Sequence, residues 1–327
     1  MQQYCETILN GTPKYTPLNG AGLKFLNLEK SLIICADDFA LNDAVSDAII
    51  SLASKGRISA TSALTLSPFW PAHARQLKAQ GNLCLDVGLH LDLTSEFARD
   101  AGYGADLNQV LLKAVGFGYH SSSMDSIIAS QLDRFESVWG APPDHIDGHQ
   151  HIHQFAGIRN SLIRVLRTRY PSTNTRPWVR VSNVRPINVK SSVISLTGAK
   201  RLRGLLENEG INFSPVLLGV YGFNLNKDKY RAAFLPWLNL VDGIEESRLM
   251  QVTRHKYLMI ELNKPTSTAL PPTIMCHPSM LAQEGDSIGQ ARTEEFAYFD
   301  SEAFKGDLSA SLLTLVRGTQ FIQKANN

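Results

Sequence analysis

What this chain has little of already bounds it. Among its 327 residues are four cysteines, none in a Cys-x-x-Cys pair. Neither a disulfide scaffold nor a thiolate zinc knuckle is indicated. Cys35, Cys84 and Cys276 lie in apolar, strand-like stretches, where a thiol packs as a small hydrophobe. The expectation is a reduced, cytoplasmic protein. Charge of one sign is not in excess: the net charge is +2, and no basic block or acidic tail appears. A nucleic-acid partner is therefore not expected. No apolar run approaches the roughly 20 residues that cross a bilayer. Met1 to Gly20 lacks the charged-then-apolar pattern of a secretory leader. Internal repeats, low-complexity tracts and an obvious inter-domain linker are missing too.

What is present is an ordinary globular composition, 43% hydrophobic and 19% charged, on a chain long enough to bury a large core. Short apolar runs alternate with helical spacings. Ser31–Ala36 predicts a buried parallel strand, as do Ile58–Leu66, Leu83–Leu93, Trp178–Val181, Ile211–Val220 and Thr273–Cys276. Helices are expected over 44–53, ending at Gly56, from Pro71 to Gly81, and over Met124–Trp139, Ile158–Leu166, Ser191–Glu209 and 303–323. Residues 95–121 are expected as a long substrate loop, and 227–263 have no clear assignment. The alternation implies a parallel α/β sheet or barrel. Residues 1–30 are expected as an N-terminal extension packed on a single domain spanning 31–327.

The residues that carry chemistry are concentrated. Of nine histidines, four fall with an aspartate in His145-Ile146-Asp147-Gly148-His149-Gln150-His151-Ile152-His153. Core packing explains such a cluster poorly, and a metal site or an active-site rim explains it well. Asp37 and Asp38 end the first apolar strand, where α/β folds place chemistry. A helix cap would need only one of the two. His90 sits in a strand, where a lone histidine is commonly structural. His277 follows the last inner strand, before Pro278. On a regular strand His145, Asp147, His149, His151 and His153 would share one face, although Gly148 permits a bend. His149 is the first choice as a metal ligand, and Asp147 could orient a neighbouring imidazole. For His145, His151 and His153, ligand, substrate contact and plain lining stay open.

The ordered set Ala36-Asp37-Asp38-Phe39, Gly88-Leu89-His90, the 145–153 cluster and Met275-Cys276-His277-Pro278 resembles the YdjC-like carbohydrate deacetylase family. That family includes chitooligosaccharide deacetylases and the hopanoid-associated HpnK proteins. The resemblance runs from about residue 31 to about 280. It implies a distorted (β/α) TIM-like barrel of mostly parallel strands, and a hydrolase that removes an N-acetyl group from an amino sugar. It further implies a divalent cation, Mg²⁺ or Zn²⁺, held by Asp38, His90 and His149, with Asp37 as general base and His277 as general acid. Asp147, His151 and His153 would stand behind these or touch substrate. A homodimer acting on a small carbohydrate is implied as well. Members often carry Gly after the Phe of the acidic motif, where this chain has Ala40. Three alternatives are an amidohydrolase, for which His149-Gln150-His151 on a strand would be the signature, a metal-dependent phosphoesterase, and a non-catalytic sugar-binding barrel. Trp70, Tyr103, Trp178, Tyr221 and Trp237 are candidates to stack on a sugar, with core packing as the competing explanation.

Overall fold

The computed structural model describes residues 30–116, 118–172, 175–185, 196–258 and 269–326. The expected extension over 1–30 lies outside them except for Lys30, as does the start of the helix expected over 191–209. Eight strands follow the order β6-β5-β4-β3-β2-β1-β8-β7. They are β1 (Lys30–Phe39), β2 (Ala60–Ala63), β3 (Asp86–Leu91), β4 (His145–Gly148), β5 (Trp178–Arg180), β6 (Phe213–Ser214), β7 (Leu217–Leu218) and β8 (Thr273–Cys276). Every neighbouring pair is parallel. Isolated parallel bridges join Val184 to Leu217 and Phe213 to Ala269. They draw the sheet's two ends together into a nearly closed, distorted (β/α) barrel, as expected.

The strands read as continuous apolar runs because both of their faces are covered. β1 is buried along nearly its whole length, and β2, β3, β4 and β8 throughout. The helices cover the outside with one apolar stripe each. α1 (Asp43–Ser54) starts at Asn42, whose side chain accepts from the Val45 N–H, a standard N-cap. α2 (Trp70–Ala79) has Pro71 in its first turn. The expected loop over 95–121 instead holds α3 (Glu96–Asp100) and α4 (Leu107–Val115); Ser95 caps the first by accepting from Ala98 N. α5 (Ser121–Trp139) ends at Gly140, which takes the left-handed conformation that closes many helices. α6 (Ile158–Arg169) and α7 (Ala199–Asn208) follow. α8 (Lys227–Leu258) fills the unassigned region, with Pro236 inside it.

The C-terminal expectation needs correction. Residues 303–323 are not one helix. α9 (Gly289–Phe299) is followed by α10 (Glu302–Ala310), a short strand β9 (Leu313–Leu315) and α11 (Gly318–Asn326). Leu312 takes φ 55° and breaks the helix. β9 then pairs in parallel with Lys30–Leu32 at the start of β1. Val316, Phe321 and Ile322 pack against Ile33, Cys35, Ala60 and Trp178, so this segment plugs the barrel at the N-terminal ends of its strands. Cys35 and Cys276 are free and buried. No described helix is long and apolar enough to cross a membrane.

Candidate metal centre and active site

The opposite end of the barrel opens into a cavity of about 1010 Å³, lined by Asp37, Asp38, His90, His149, His151 and His277 among others. The register of β1 explains how two adjacent aspartates reach one cavity. In a regular strand they would point to opposite faces. Between Ala36 and Phe39 the pairing with β2 slips by a bulge, and Asp38 and Ala40 take φ 69° and 70°. Such a bulge re-aims side chains at the rim of a sheet.

Asp37 is gripped by Arg180, at the end of β5, through two hydrogen bonds of 2.7 and 2.8 Å. Burial pushes its carboxyl up, but the Arg180 guanidinium outweighs this, helped by His90 and His277, and holds it well below the usual carboxylate range. Its Oδ2 lies 3.9 Å from His277 Nε2. Burial lowers the His277 imidazole to about 4, despite the two aspartates. The backbone N–H of His277 donates to Glu295 on α9, and Tyr221 O–H donates to the other oxygen of the same carboxyl at 2.6 Å.

Asp38 faces differently. Its Oδ2 accepts from Arg292 Nη2 at 2.7 Å. Its Oδ1 is buried without a hydrogen-bond partner and lies 3.4 Å from His90 Nε2. His90 Nδ1 is 2.6 Å from Asp147 Oδ1, so Asp147 fixes the ring and leaves Nε2 to face Asp38. Burial opposes protonation of His90, yet Asp147, Asp37 and Asp38 raise it to about 9. The pocket thus favours one positive charge between His90 Nε2 and Asp38 Oδ1, supplied by a proton or by a metal cation. His149 stands edge-on to His90, ring centroids 5.7 Å apart. Its Nδ1 contacts Thr94 Oγ1 at 2.7 Å, with Asp92 Oδ1 behind at 3.6 Å. Burial keeps this imidazole lowered and neutral, the form that ligates metals. One orphaned carboxylate oxygen and two imidazoles anchored through Nδ1 fit a divalent cation in chemistry. Among the described residues, two groups bring three donor atoms within 4.8 Å of one another, Asp37, His90 and Asp147, and Cys35, His145 and Asp147, whereas Asp38, His90 and His149 are more widely spaced. The first shares His90 with the set above. The second is sealed in the barrel interior, with His145 stacked on Trp178 at 4.5 Å.

The regular strand that would put 145–153 on one face does not persist, and the bend that Gly148 permits is where it stops. β4 ends at Gly148, and a 3-10 turn runs over His149–Gln154, in which Gln150 and His151 take φ 53° and 63°. The turn moves His149 and His151 to the cavity wall. It buries His153, whose Nε2 lies 2.7 Å from the Arg180 carbonyl oxygen. His153 Nδ1 and backbone crowd Gly148, where a Cβ would lie 2.9 Å from that nitrogen; this explains the glycine. His151 Nδ1 meets Ser182 Oγ at 3.1 Å. The amidohydrolase alternative loses its basis, since its paired histidines do not share a strand here. Trp70, Trp178 and Trp237 are buried in the core. Tyr221 alone of the five aromatic candidates lines the cavity.

Sequence reasoning missed Arg180, Arg292, Thr94 and Glu295. Arg180 carried a readable signal, a cation ending the apolar strand Trp178–Arg180. The other three act across long sequence separations, Arg292 and Asp38 being 254 residues apart, and nothing local marks them.

The family profile of YdjC-like proteins matches residues 31–310, and the chain belongs to that family. Chitooligosaccharide deacetylases of Yersinia pestis and Yersinia pseudotuberculosis are similar to it, 33% identical over 139 residues. That match covers 40% of this chain and 53% of each relative, so the chain spans about half the length of the curated relatives it matches. The crystal structure of a proposed cellobiose-phosphate cleavage protein from Enterococcus faecalis V583 has the same fold. Its TM-score is 0.62 at 18% identity, covering 90% of this chain and 99% of the other.

Proposed function

We propose that this protein is a metal-dependent carbohydrate deacetylase, hydrolysing the N-acetyl amide of an amino sugar. The observation that carries this reading is the division of labour between two adjacent carboxylates. Asp37 is held ionised beside His277, and Asp38 keeps one buried oxygen unpaired opposite His90. Asp38, His90 and His149 would hold the cation, Mg²⁺ or Zn²⁺. When bound, it would supply Lewis acidity toward the acetyl carbonyl and the nearby water.

Asp37 is the base. Arg180 keeps it charged and aimed, but also makes it a weak base, which suits a water made more acidic by its surroundings. His277 is the acid for the departing nitrogen. Its low proton affinity means that it gains its proton within the cycle, and we assign that transfer to Asp37, whose Oδ2 lies 3.9 Å from Nε2 and must close to hydrogen-bond distance to make it. Such acid-base assistance is typically worth about 10²- to 10⁴-fold. Asp147 orients His90, and Thr94 orients His149. The chitooligosaccharide deacetylases among the relatives make an N-acetylglucosamine oligomer the first substrate to offer.

The test is acetate release from N-acetylated sugars, with added Zn²⁺ or Mg²⁺ and with chelator. Cation-dependent release, reduced about 10²- to 10⁴-fold in Asp37→Asn while cation binding persists, is the expected result. Cation binding without acetate release from any sugar would sink the deacetylase and favour a phosphoesterase or a sugar-binding barrel.

A further inference from the structure

We infer that Arg292 is a positioning residue that restricts Asp38 to one free oxygen, and so keeps a place on the cation open for substrate. The inference rests on the proposed cation site. Arg292 Nη2 takes Asp38 Oδ2 at 2.7 Å, while Oδ1 stays unpaired and faces His90. Arg292 is itself locked. Its Nε donates to Asp286 Oδ2 at 2.7 Å, its carbonyl accepts from Ser279 N at 3.1 Å, and its side chain is buried. One turn along the same helix, Glu295 accepts from His277 N–H and Tyr221 O–H. Helix α9 therefore fastens both the ligand carboxylate and the acid.

A carboxylate with two free oxygens can grip a cation through both. A catalytic cation instead needs an open position for water or substrate. The guanidinium also places a positive charge beside the site, which weakens its hold on a cation. Removing Arg292 should thus move the two readouts in opposite directions. The cation should bind at least as tightly, and turnover should fall. A residue that merely supports the fold would lower both together.

The experiment compares wild type, Arg292→Met, Arg292→Lys and Asp286→Asn. Zn²⁺ affinity is read by competition with a chromophoric chelator, coordination by the visible absorption of the Co²⁺ form, and kcat by acetate release. In Arg292→Met, Zn²⁺ affinity should hold or rise, the Co²⁺ bands should weaken as a ligand is added, and kcat should drop about 10- to 100-fold. Arg292→Lys should recover part of the kcat. Asp286→Asn, which loosens Arg292 without removing it, should shift every readout the same way by less. A fall in Zn²⁺ affinity of about tenfold or more with an unchanged Co²⁺ spectrum would overturn the inference, as would an unchanged kcat. If Arg292→Met does not fold, Asp286→Asn alone decides by the same signs. Failure of wild type to bind Zn²⁺ or Co²⁺ would instead sink the cation site on which the inference rests.

Discussion

The two ends of the barrel are built by opposite rules. At the mouth, Asp38, Ala40, Gln150, His151 and Phe223 all take positive φ, a conformation that costs side-chain-bearing residues roughly 1–2 kcal/mol each. Asp38 Oδ1, Arg180 Nε, His277 Nδ1 and Arg292 Nη1 are buried there without hydrogen-bond partners. At the other end, Asp86 gathers Trp178 Nε1 at 3.1 Å, Thr319 N at 3.0 Å and the Thr319 hydroxyl, and apolar side chains of the C-terminal segment close the floor. Strain and unmet polar groups are concentrated where the cavity opens. The floor holds fewer of them, Leu312 at φ 55° and the unpaired Arg317 Nε, amid satisfied bonds and dense packing. Changes at the mouth should therefore cost activity with little stability, and changes at the floor should do the reverse.

The largest effect at the mouth that would sharpen this contrast is Thr94→Val. It removes the hydroxyl that contacts His149 Nδ1 at 2.7 Å, nearly preserves volume, and leaves all three proposed ligands in place. Groups behind ligating histidines typically matter by about 10- to 100-fold. Cation affinity or turnover should fall by that factor with an unchanged melting temperature, and an equal loss of stability would break the division. Gly318→Ala is the counterpart at the floor. A Cβ there would lie 2.5 Å from Trp178 Nε1, inside a packed layer. Overpacking of this kind costs about 1–3 kcal/mol, read as a lowered denaturation midpoint, while kcat per folded molecule should hold.

A pH-dependent effect belongs to the floor as well. Burial, and then the charge of Asp86, push the Asp144 carboxyl up to about 7, while its Oδ2 accepts from Val87 N at 2.8 Å. The folded chain thus holds a proton that the unfolded chain, with an aspartate near its ordinary value of about 3.9, releases earlier. The associated stability is fully present below about pH 4 and is lost as pH rises through about 7. Asp144→Asn mimics the protonated form. Its melting temperature should match wild type at pH 4 and exceed it at pH 8, the gap between the ordinary value and about 7 corresponding to on the order of 4 kcal/mol of stability. A higher melting temperature at both values would show that the amide does something other than replace that proton.

Much of the barrel was legible because its strands are buried on both faces, so that Ser31–Ala36 and Thr273–Cys276 announce themselves by composition alone. The ends of those strands then carried Asp37, Asp38 and His277 to the mouth without further information. The turn at His149–Gln154 was not legible. It depends on two consecutive residues in the left-handed region, and only Gly148 hinted that the strand phase would fail. The C-terminal break was hidden for a different reason. Residues 303–323 hold apolar spacing compatible with a helix, and what interrupts it is pairing of β9 with Lys30–Leu32 at the far end of the chain. Arg292 was hidden likewise, its partner being set by the fold rather than by spacing. Local patterns report burial well and report nothing about which distant side chain completes a carboxylate.

Ala40 offers the smallest test, and the one that probes how tightly strain is tied to the mouth. Members of the family often carry Gly at this place, and the structure supplies a reason: φ is 70°, and the N–H is held by Ser46 Oγ at 3.1 Å, which in turn meets His73 Nδ1 at 3.1 Å. Replacing Ala40 with Gly would relieve roughly 1–2 kcal/mol of backbone strain. Against this stand about 0.8 kcal/mol for the buried methyl and about 0.4–1 kcal/mol for the greater freedom of Gly in the unfolded chain. The terms nearly cancel. Ala40→Gly should change stability by less than about 1 kcal/mol and leave kcat unaltered, because the Ser46 bond still fixes the turn. Ala40→Val adds branching at Cβ in the same left-handed position, so both stability and the aim of Asp38 should suffer. If Ala40→Gly alone lowered kcat, the methyl rather than the hydrogen bond would be what holds the two aspartates in the cavity.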